Sequence, residues 1–288
     1  MSIHSQPLPT VFVDGGGTKT ALRYGDETLR LGPSALSLGL TPLMACRREA
    51  RAHWGLPDRV LWVMSLAGCE HAAHREALLS HWGEPLLLMS DRDAAWLGCS
   101  AGHPMAVLTI GTGTALAWMS STQVFGHAGG LGFVLGDEGG GAWIGRSALR
   151  SLAKALDGDT RVSLSIQTWA DGLQVVPDLS AVMALTEEAT PARYAARAPW
   201  VIQAARAGEP VACHIMERAV AALHQLLQRV PEPLPVALVG GLSPFFEDHL
   251  RALGHQIQPA IGTVFDGLVQ ALDGFRCPGL SLWRAGDV

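Results

Sequence analysis

The sequence predicts an α/β protein built from two similar domains. Apolar runs of strand length alternate with helical stretches, and one pattern of strand, glycine turn and strand occurs twice, at residues 11–32 and 107–129. Similarity at this spacing indicates a duplicated domain, and chance similarity of two hairpins is the alternative. We therefore expect two domains, 1–104 and 105–288, that meet near residues 101–107.

The first half opens with the apolar run Thr10–Asp14, which predicts a buried strand before the glycine turn. Gly25-Asp26 predicts a hairpin turn between the next two strands. The other predicted elements are strands at 20–24 and 28–31, a helix at 43–54, a strand at 60–64, a helix at 71–81, a strand at 86–89 and a helix at 94–101.

The second half repeats this opening and then becomes mostly helical between residues 141 and 230. Apolar residues recur at helical spacing through 211–230, and Pro231 ends that helix. The other predicted elements are strands at 105–110, 115–119, 122–126 and 236–239 and helices at 246–253 and 264–272.

Composition excludes several classes of protein. No apolar run approaches the ~20 residues of a membrane span, and residues 1–9 lack the features of a secretory signal. A net charge of -5 and a pI near 6.1 argue against a nucleic-acid partner. The five cysteines are odd in number and scattered, which is typical of free thiols in a reducing compartment. We expect a soluble cytoplasmic protein with neither a membrane nor a nucleic-acid partner.

The first chemical motif follows the first strand and reads Asp14-Gly15-Gly16-Gly17-Thr18-Lys19-Thr20. Glycines let backbone N–H groups approach a phosphate, the threonines and the lysine add donors, and a carboxylate suits Mg²⁺. The spacing fits neither a P-loop nor a dinucleotide fingerprint. An ordinary glycine hairpin is the alternative.

Two further glycine motifs follow apolar strands in the second half. Gly111-Thr112-Gly113-Thr114 carries no charge and would bind phosphate through backbone N–H and hydroxyl groups. Gly240-Gly241 follows a short buried strand, which suits either a flat ring lying on the backbone or a plain tight turn.

Acidic residues occur in two places that could touch a substrate. Asp137 and Glu138 lie in a glycine-rich loop after Gly129-Gly130, which favours contact with a cation or a polyol, with a flexible surface loop as the alternative. Asp91 and Asp93 directly follow the strand at 86–89. Local evidence favours helix capping for these two, although a carboxylate there could also accept a proton from a substrate.

Taken in order, these motifs resemble the phosphate-one, phosphate-two, sugar-loop and adenosine motifs of the actin-like ATPase superfamily. Within it the chain is most similar to the N-acetylglucosamine and glucosamine kinases, in the branch that also holds the benzoyl-CoA reductase activase-type ATPases. The resemblance covers residues 11–272 and includes the helical stretch 190–201.

This resemblance implies two ribonuclease H-like domains with a central cleft, helical elaboration in the second, and an ATP-dependent sugar kinase that uses Mg²⁺. We also expect a homodimer. The implied roles are Asp14 at the Mg²⁺-linked position, Gly15, Gly16, Gly17, Thr18, Lys19, Thr112, Gly113 and Thr114 on the phosphates, Gly240 and Gly241 beneath the nucleoside, Gly129, Gly130 and Asp137 on the sugar, and Asp91 as general base. The last role reverses the local preference for a helix cap.

Two departures from the family pattern leave the sugar open. Ala35 stands where the family commonly has an asparagine after Gly-Pro-Ser, and Leu131 replaces a tryptophan of the sugar loop. The alternatives are an ATPase activase, which would need interface cysteines, and a sugar-sensing regulator or degenerate kinase, which Ala35 keeps open.

Overall fold

The computed structural model describes residues 8–187 and 190–286. Its elements, in chain order, are β1 (Thr10–Gly15), β2 (Thr20–Tyr24), β3 (Glu27–Leu31), α1 (Leu40–Trp54), β4 (Leu61–Leu66), α2 (Ala72–His81), β5 (Leu86–Ser90), α3 (Asp91–Ser100), β6 (Met105–Ile110), β7 (Thr114–Met119), β8 (Phe125–Gly129), α4 (Gly141–Leu156), α5 (Ile166–Leu173), α6 (Leu179–Ala184), α7 (Pro191–Ala195), α8 (Ala198–Arg206), α9 (Pro210–Leu227), β9 (Val236–Val239), α10 (Glu247–Ala252), β10 (Ile257–Gln258), α11 (Val264–Leu272) and β11 (Leu282–Ala285). The predicted α/β class is confirmed.

The chain divides into two compact units. The first comprises Met1–Pro104, Met119–Phe125 and Ala260–Val288, and the second comprises Met105–Trp118 and Gly126–Pro259. The expected boundary after residue 104 coincides with a unit boundary, but the expected second domain, 105–288, differs from the structure at its end. Residues 260–288 return to the first unit because α11 packs on α3 and β11 pairs with β5.

The first unit is built on a six-stranded sheet with the order β11-β5-β4-β1-β2-β3. The three central strands β1, β4 and β5 are parallel, whereas β2, β3 and β11 run antiparallel to their neighbours. Every residue of β4 and β5 is buried, as is usual for parallel strands covered on both faces. The carboxyl ends of the three parallel strands therefore meet at one edge of the sheet.

Two glycines let α11 pack unusually close to α3. A Cβ on Gly98 would lie 1.7 Å from the carbonyl oxygen of Thr263, and one on Gly267 would lie 2.3 Å from that of Ala94. The Ile261 backbone N–H also donates to the Cys99 carbonyl oxygen at 2.8 Å. This close contact joins the C-terminal segment to the helix that begins at Asp91.

The second unit is built on a five-stranded sheet with the order β10-β9-β6-β7-β8. Strand β9 pairs in parallel with β6 and with β10. One continuous core joins this sheet to the helices from α4 to α10; among its fully buried members are Leu108, Trp169, Leu223 and Phe246. Helix α4 is central, since it packs against α5, α6, α7, α8 and α9.

Most predicted elements lie within a few residues of the observed ones. Helix α3 begins at Asp91 rather than at residue 94, and β8 covers Phe125–Gly129 rather than 122–126. Strands β10 and β11 were not predicted. Within the described residues, no helix combines the length and the apolar character needed to cross a membrane.

Candidate functional site

Asp14 lies at the carboxyl edge of the first sheet. In the strand register it is paired with Ser65 on β4, and Ser65 is paired in turn with Met89 on β5. The Ser65 hydroxyl donates to Asp14 Oδ1 at 3.5 Å. Burial raises the pKa of Asp14, whereas the Ser65 hydroxyl and the charge of Lys19 lower it. The side chain is thus a carboxylate in a poorly hydrated place beside a cation.

Asp91 is the first residue of α3 and directly follows β5. Only β4 separates β5 from β1, so Asp91 lies at the same carboxyl edge of the sheet as Asp14. It is not the helix cap: Ser90 is, since its hydroxyl accepts the Asp93 backbone N–H at 3.1 Å. The local preference for capping by Asp91 is therefore wrong, because the preceding serine already fills that position.

The pKa of Asp91 is raised to about 7. Burial is the largest cause, followed by the negative charges of Glu70 and Asp14, while the Arg92 backbone and side chain lower it. The residue still keeps part of its surface exposed. A carboxyl group that titrates near neutral pH and stays accessible has the properties expected of a general base.

Glu70 and Arg92 complete the charged surroundings of Asp91. Arg92 Nη2 lies 3.8 Å from Glu70 Oε1, and its Nε donates to Asp93 Oδ1 at 2.9 Å. Sequence reasoning missed Glu70, since it lies in a turn after β4 and only the sheet order brings it beside α3.

The first glycine hairpin joins β1 to β2 and has an exposed tip. Gly17, Thr18 and Lys19 are exposed, and no atom lies within 4 Å of a Cβ placed on Gly17. Thr20, by contrast, is buried with its hydroxyl 2.6 Å from the Gly32 carbonyl oxygen. The tip is therefore free to meet a phosphate, whereas the Thr20 hydroxyl anchors the hairpin.

Close packing, rather than left-handed backbone, explains the need for glycine at position 15. Gly15, Gly16 and Gly17 do not have positive φ. A Cβ on Gly15 would lie 2.3 Å from Ser34 Oγ and 2.6 Å from Leu66 Cδ2. The expected tight turn is present, but glycine is needed at position 15 because the neighbouring strand and loop leave no room for a side chain, whereas the Gly16 and Gly17 positions have room for a Cβ.

The hairpin before β7, Gly111-Thr112-Gly113, is covered by the start of α4. The Gly141 backbone N–H donates to the Gly111 carbonyl oxygen at 2.8 Å, and that of Ala142 donates to Thr112 at 2.9 Å. A Cβ on Gly140 would lie 2.8 Å from Gly113 Cα. Glycines at both positions thus permit contact between the two backbones.

Thr114 connects this hairpin to the glycine-rich loop after β8. Its backbone N–H donates to Asp137 Oδ1 at 3.3 Å, its hydroxyl donates to the Glu138 carbonyl oxygen at 3.3 Å, and its own carbonyl oxygen accepts the Gly130 N–H at 2.9 Å. The structure therefore brings together residues that the sequence assigned to phosphate and to sugar.

Asp137 lies against the second hairpin. Its carboxylate occupies the space that a Cβ on Gly113 would need, with Oδ2 at 2.3 Å from that position. The residue adopts a φ of 62°, and burial raises its pKa while the Thr114 N–H lowers it. Its contacts are with the hairpin, and its role toward the sugar stays a prediction.

Gly240 and Gly241 follow β9 beside the end of β6. Gly240 has a φ of 98°, and a Cβ there would lie 2.4 Å from the Ile110 carbonyl oxygen. Gly241 is exposed with no atom within 4 Å of its Cβ position. Gly240 is thus required by the fold, and Gly241 offers the open backbone that a flat ring could cover.

The two departures from the family pattern differ in environment. Ala35 is buried, and its backbone N–H and that of Ser34 both donate to the Gly16 carbonyl oxygen at 3.1 Å. Leu131 follows Gly129 and Gly130 and is 62% exposed. Ala35 therefore stands directly behind the first hairpin, whereas Leu131 lies on the surface.

The residues fit a magnesium ion that is shared with phosphates rather than one enclosed by protein. In the described part of the chain, no group of three or more His, Cys, Asp or Glu side chains is placed to hold a metal ion. Asp14 offers one carboxylate beside the exposed hairpin tip, and Mg²⁺ is commonly held by one or two carboxylates together with substrate phosphates and water.

Comparison with known proteins finds kinases among the relatives, although no family model matches the chain. Glucosamine kinase GspK of Vibrio cholerae is 25% identical over 238 residues, which cover 75% of this chain and 78% of that protein. A solved structure assigned as an N-acetylglucosamine kinase, from Chromobacterium violaceum, is 29% identical with a TM-score of 0.76 and covers 91% of this chain and 98% of that one.

A ROK family glucokinase from Streptomyces griseus, solved with glucose and AMPPNP, shares the fold at 19% identity and a TM-score of 0.55, covering 92% of this chain and 98% of that one. The predicted resemblance to amino sugar kinases is confirmed, and so is the predicted fold class.

Proposed function

We propose that this chain is an ATP-dependent kinase for an amino sugar such as glucosamine or N-acetylglucosamine. The observation that carries the proposal is the pair Asp14 and Asp91 at one sheet edge, with the pKa of Asp91 raised to about 7, in a chain 29% identical to a protein assigned as an N-acetylglucosamine kinase.

In this proposal Asp91 is the general base. A sugar hydroxyl attacks the γ-phosphorus of ATP in line, Asp91 accepts the hydroxyl proton, and ADP leaves. A carboxylate with a pKa near 7 is ionised in a large fraction of molecules at neutral pH and is basic enough to take the proton as the new P–O bond forms.

The glycine hairpins are proposed to bind the nucleotide. The first hairpin, Gly15–Lys19, is proposed to offer backbone N–H groups, the Thr18 hydroxyl and the Lys19 ammonium group to phosphate oxygens, chiefly at its exposed tip, Gly17–Lys19. The second, Thr112–Thr114, is proposed to bind phosphate through its backbone, and Gly240-Gly241 to lie beneath the nucleoside. Asp14 would hold Mg²⁺, which when bound neutralises charge on the phosphate oxygens.

For the sugar we propose contacts with Gly129, Gly130 and Asp137. The supporting observation is that Thr114 joins both Gly130 and Asp137 to the second hairpin. We further propose a cytoplasmic homodimer that binds neither nucleic acid nor membrane; the net charge of -5 supports the absence of nucleic acid.

The decisive experiment measures ADP release with ATP and a panel of hexoses and amino sugars. We expect glucosamine or N-acetylglucosamine to be the best substrate. Asp91→Asn should fold but lower kcat by about 10²- to 10⁴-fold, the usual contribution of a general base.

Asp26→Asn is the matched control, because Asp26 is an exposed acid in the turn between β2 and β3. It should retain wild-type turnover. Near-wild-type turnover of Asp91→Asn would remove Asp91 from the role of base, and a wild-type chain inactive on every sugar would refute the kinase itself.

A further inference from the structure

Asp93 is a fully buried carboxylate that the proposed function does not use, and its exposed fraction is 0%. Burying an ionised carboxylate is costly unless the group is paired and hydrogen-bonded. Asp93 is satisfied on both oxygens: Arg92 Nε donates to Oδ1 at 2.9 Å, and the Ser281 backbone N–H donates to Oδ2 at 2.8 Å. It also lies in the first turn of α3, where the helix dipole favours negative charge.

The contact with Ser281 links α3 to a segment almost two hundred residues away in the chain. Ser281 directly precedes β11, whose residues Leu282–Ala285 pair antiparallel with β5. Strand β5 ends at the residue before Asp91. The C-terminal segment therefore pairs with the strand that leads into Asp91. The residue just before its strand, Ser281, is hydrogen-bonded to the first turn of α3.

Further contacts hold this arrangement from the side of α2 and β4. Arg75 of α2 stacks on the Trp283 ring at 4.6 Å, and Arg92 reaches toward Glu70 at 3.8 Å. Arg92 is itself only 8% exposed. The first turn of α3 is thus fixed by Asp93 toward the C-terminal strand and by Arg92 toward the turn after β4.

We propose that Asp93 is a positioning residue: its hydrogen bond to the Ser281 N–H makes the C-terminal strand hold Asp91 in place for proton transfer. This inference rests on the proposed function, since it concerns the orientation of the proposed base. Asp93 itself touches neither substrate nor the reacting atoms; it acts through the backbone of the turn that it shares with Asp91.

Replacing the backbone donor tests this without altering Asp93. Ser281→Pro removes the N–H that Asp93 accepts, and proline is tolerated before the first residue of an edge strand such as β11. Ser281→Ala is the matched control, since it keeps the N–H and removes only the side-chain hydroxyl.

We expect Ser281→Pro to lower kcat by about 10- to 100-fold, because displacing a catalytic group by about 1 Å has costs of that order. The KM values for ATP and for the sugar should stay within about twofold, because binding groups elsewhere are untouched. Ser281→Ala should match the wild type in both constants. All rates are compared below the unfolding midpoint of each variant.

Hydrogen exchange of residues 90–94 gives a readout that does not need activity. In Ser281→Pro the Asp93 amide, which donates to Ser90 Oγ, should exchange faster than in Ser281→Ala. If Ser281→Pro does not fold, Asp93→Asn serves instead: it keeps the size of the side chain but can satisfy only one of its two neighbouring donors, so kcat should fall with little change in KM.

The outcomes separate the two proposals. A folded Ser281→Pro with wild-type kcat, or with unchanged exchange at residues 90–94, overturns the positioning role and leaves the kinase proposal standing. A lower melting temperature with unchanged kcat also overturns it, since the tie would then be structural alone. A wild-type chain without kinase activity overturns the proposed function and this role with it.

Discussion

In the first unit the strands follow the order β3-β2-β1-β4-β5, and in the second they follow the order β8-β7-β6-β9-β10. Numbered within each unit, these two orders are identical, and in both the central strand pairs in parallel with the fourth. The first unit adds β11 at its edge. This shared order supports the duplication indicated by the repeated glycine hairpin, since chance similarity of two hairpins would not extend to the crossover strands.

The equivalent hairpins have opposite environments. The tip of the first is exposed at Gly17, Thr18 and Lys19, with acids at the neighbouring strand ends. The second is half-buried and is covered by the Asp137 carboxylate and the start of α4. One sheet topology thus carries charged side chains at the hairpin of the first unit and closely packed backbone at that of the second, and the proposed function places its acid–base chemistry in the first copy.

The largest expected effect is on the stability of the first unit. In Gly98→Ala the new Cβ would lie 1.7 Å from the Thr263 carbonyl oxygen, a backbone atom that moves only if α11 moves away from α3. We expect a loss of more than about 3 kcal/mol of unfolding free energy, the range of severe overpacking and core disruption.

Gly32→Ala is the control for this change, because Gly32 has neither positive φ nor any atom within 4 Å of its Cβ position. Denaturant unfolding measures the loss, and hydrogen exchange locates it. Protection should fall in β5 and α3 while β6 and β9 keep theirs. Equal loss in both units would contradict their description as separate compact units.

The second largest effect is expected from an alanine substitution in the second glycine hairpin, compared with the same substitution in the first. Gly113→Ala places a Cβ 2.3 Å from Asp137 Oδ2, so that Asp137 must leave Thr114, whereas Gly17→Ala meets no atom within 4 Å. We expect Gly113→Ala to weaken ATP binding by about tenfold and to cost about 1–3 kcal/mol of stability. Gly17→Ala should leave stability unchanged.

Calorimetric titration with a non-hydrolysable ATP analogue and thermal unfolding check both changes. If Gly113→Ala binds the analogue as the wild type does, the second hairpin has no part in nucleotide binding, whatever the first does.

Strand-length apolar runs made most of the sheet predictable, and β9 was predicted at its observed bounds. Strand β11 was missed because an edge strand with a single arginine between apolar residues carries little periodicity, and β10 because it has only Ile257 and Gln258. The start of α3 was missed because Asp91, Arg92 and Asp93 are polar, and their burial depends on Glu70 and Ser281, which are remote in sequence.

The candidate site was predictable where chemistry follows directly from residue type. Carboxylates and glycines at strand ends were recognised, yet the role of Asp91 came from family resemblance, since its sequence neighbours alone favoured a cap. The link from Thr114 to Asp137 could not be predicted, because it depends on a backbone turn with positive φ at a non-glycine residue.

The smallest effect is a shift of the pH profile, and it also distinguishes the units. Because the pKa of Asp91 is raised to about 7 and the base must be ionised, kcat/KM for the sugar should fall as pH drops below about 7, approaching tenfold per pH unit.

The Glu70 charge helps to raise this pKa, so Glu70→Gln should move the acidic limb to lower pH. Asp137→Asn removes an acid of the second unit and should leave the limb in place, even where it lowers the rate. If the acidic limb of the pH profile shifts in Asp137→Asn but not in Glu70→Gln, the titrating base belongs to the second unit. The proposed division of chemistry between the two copies would then be reversed.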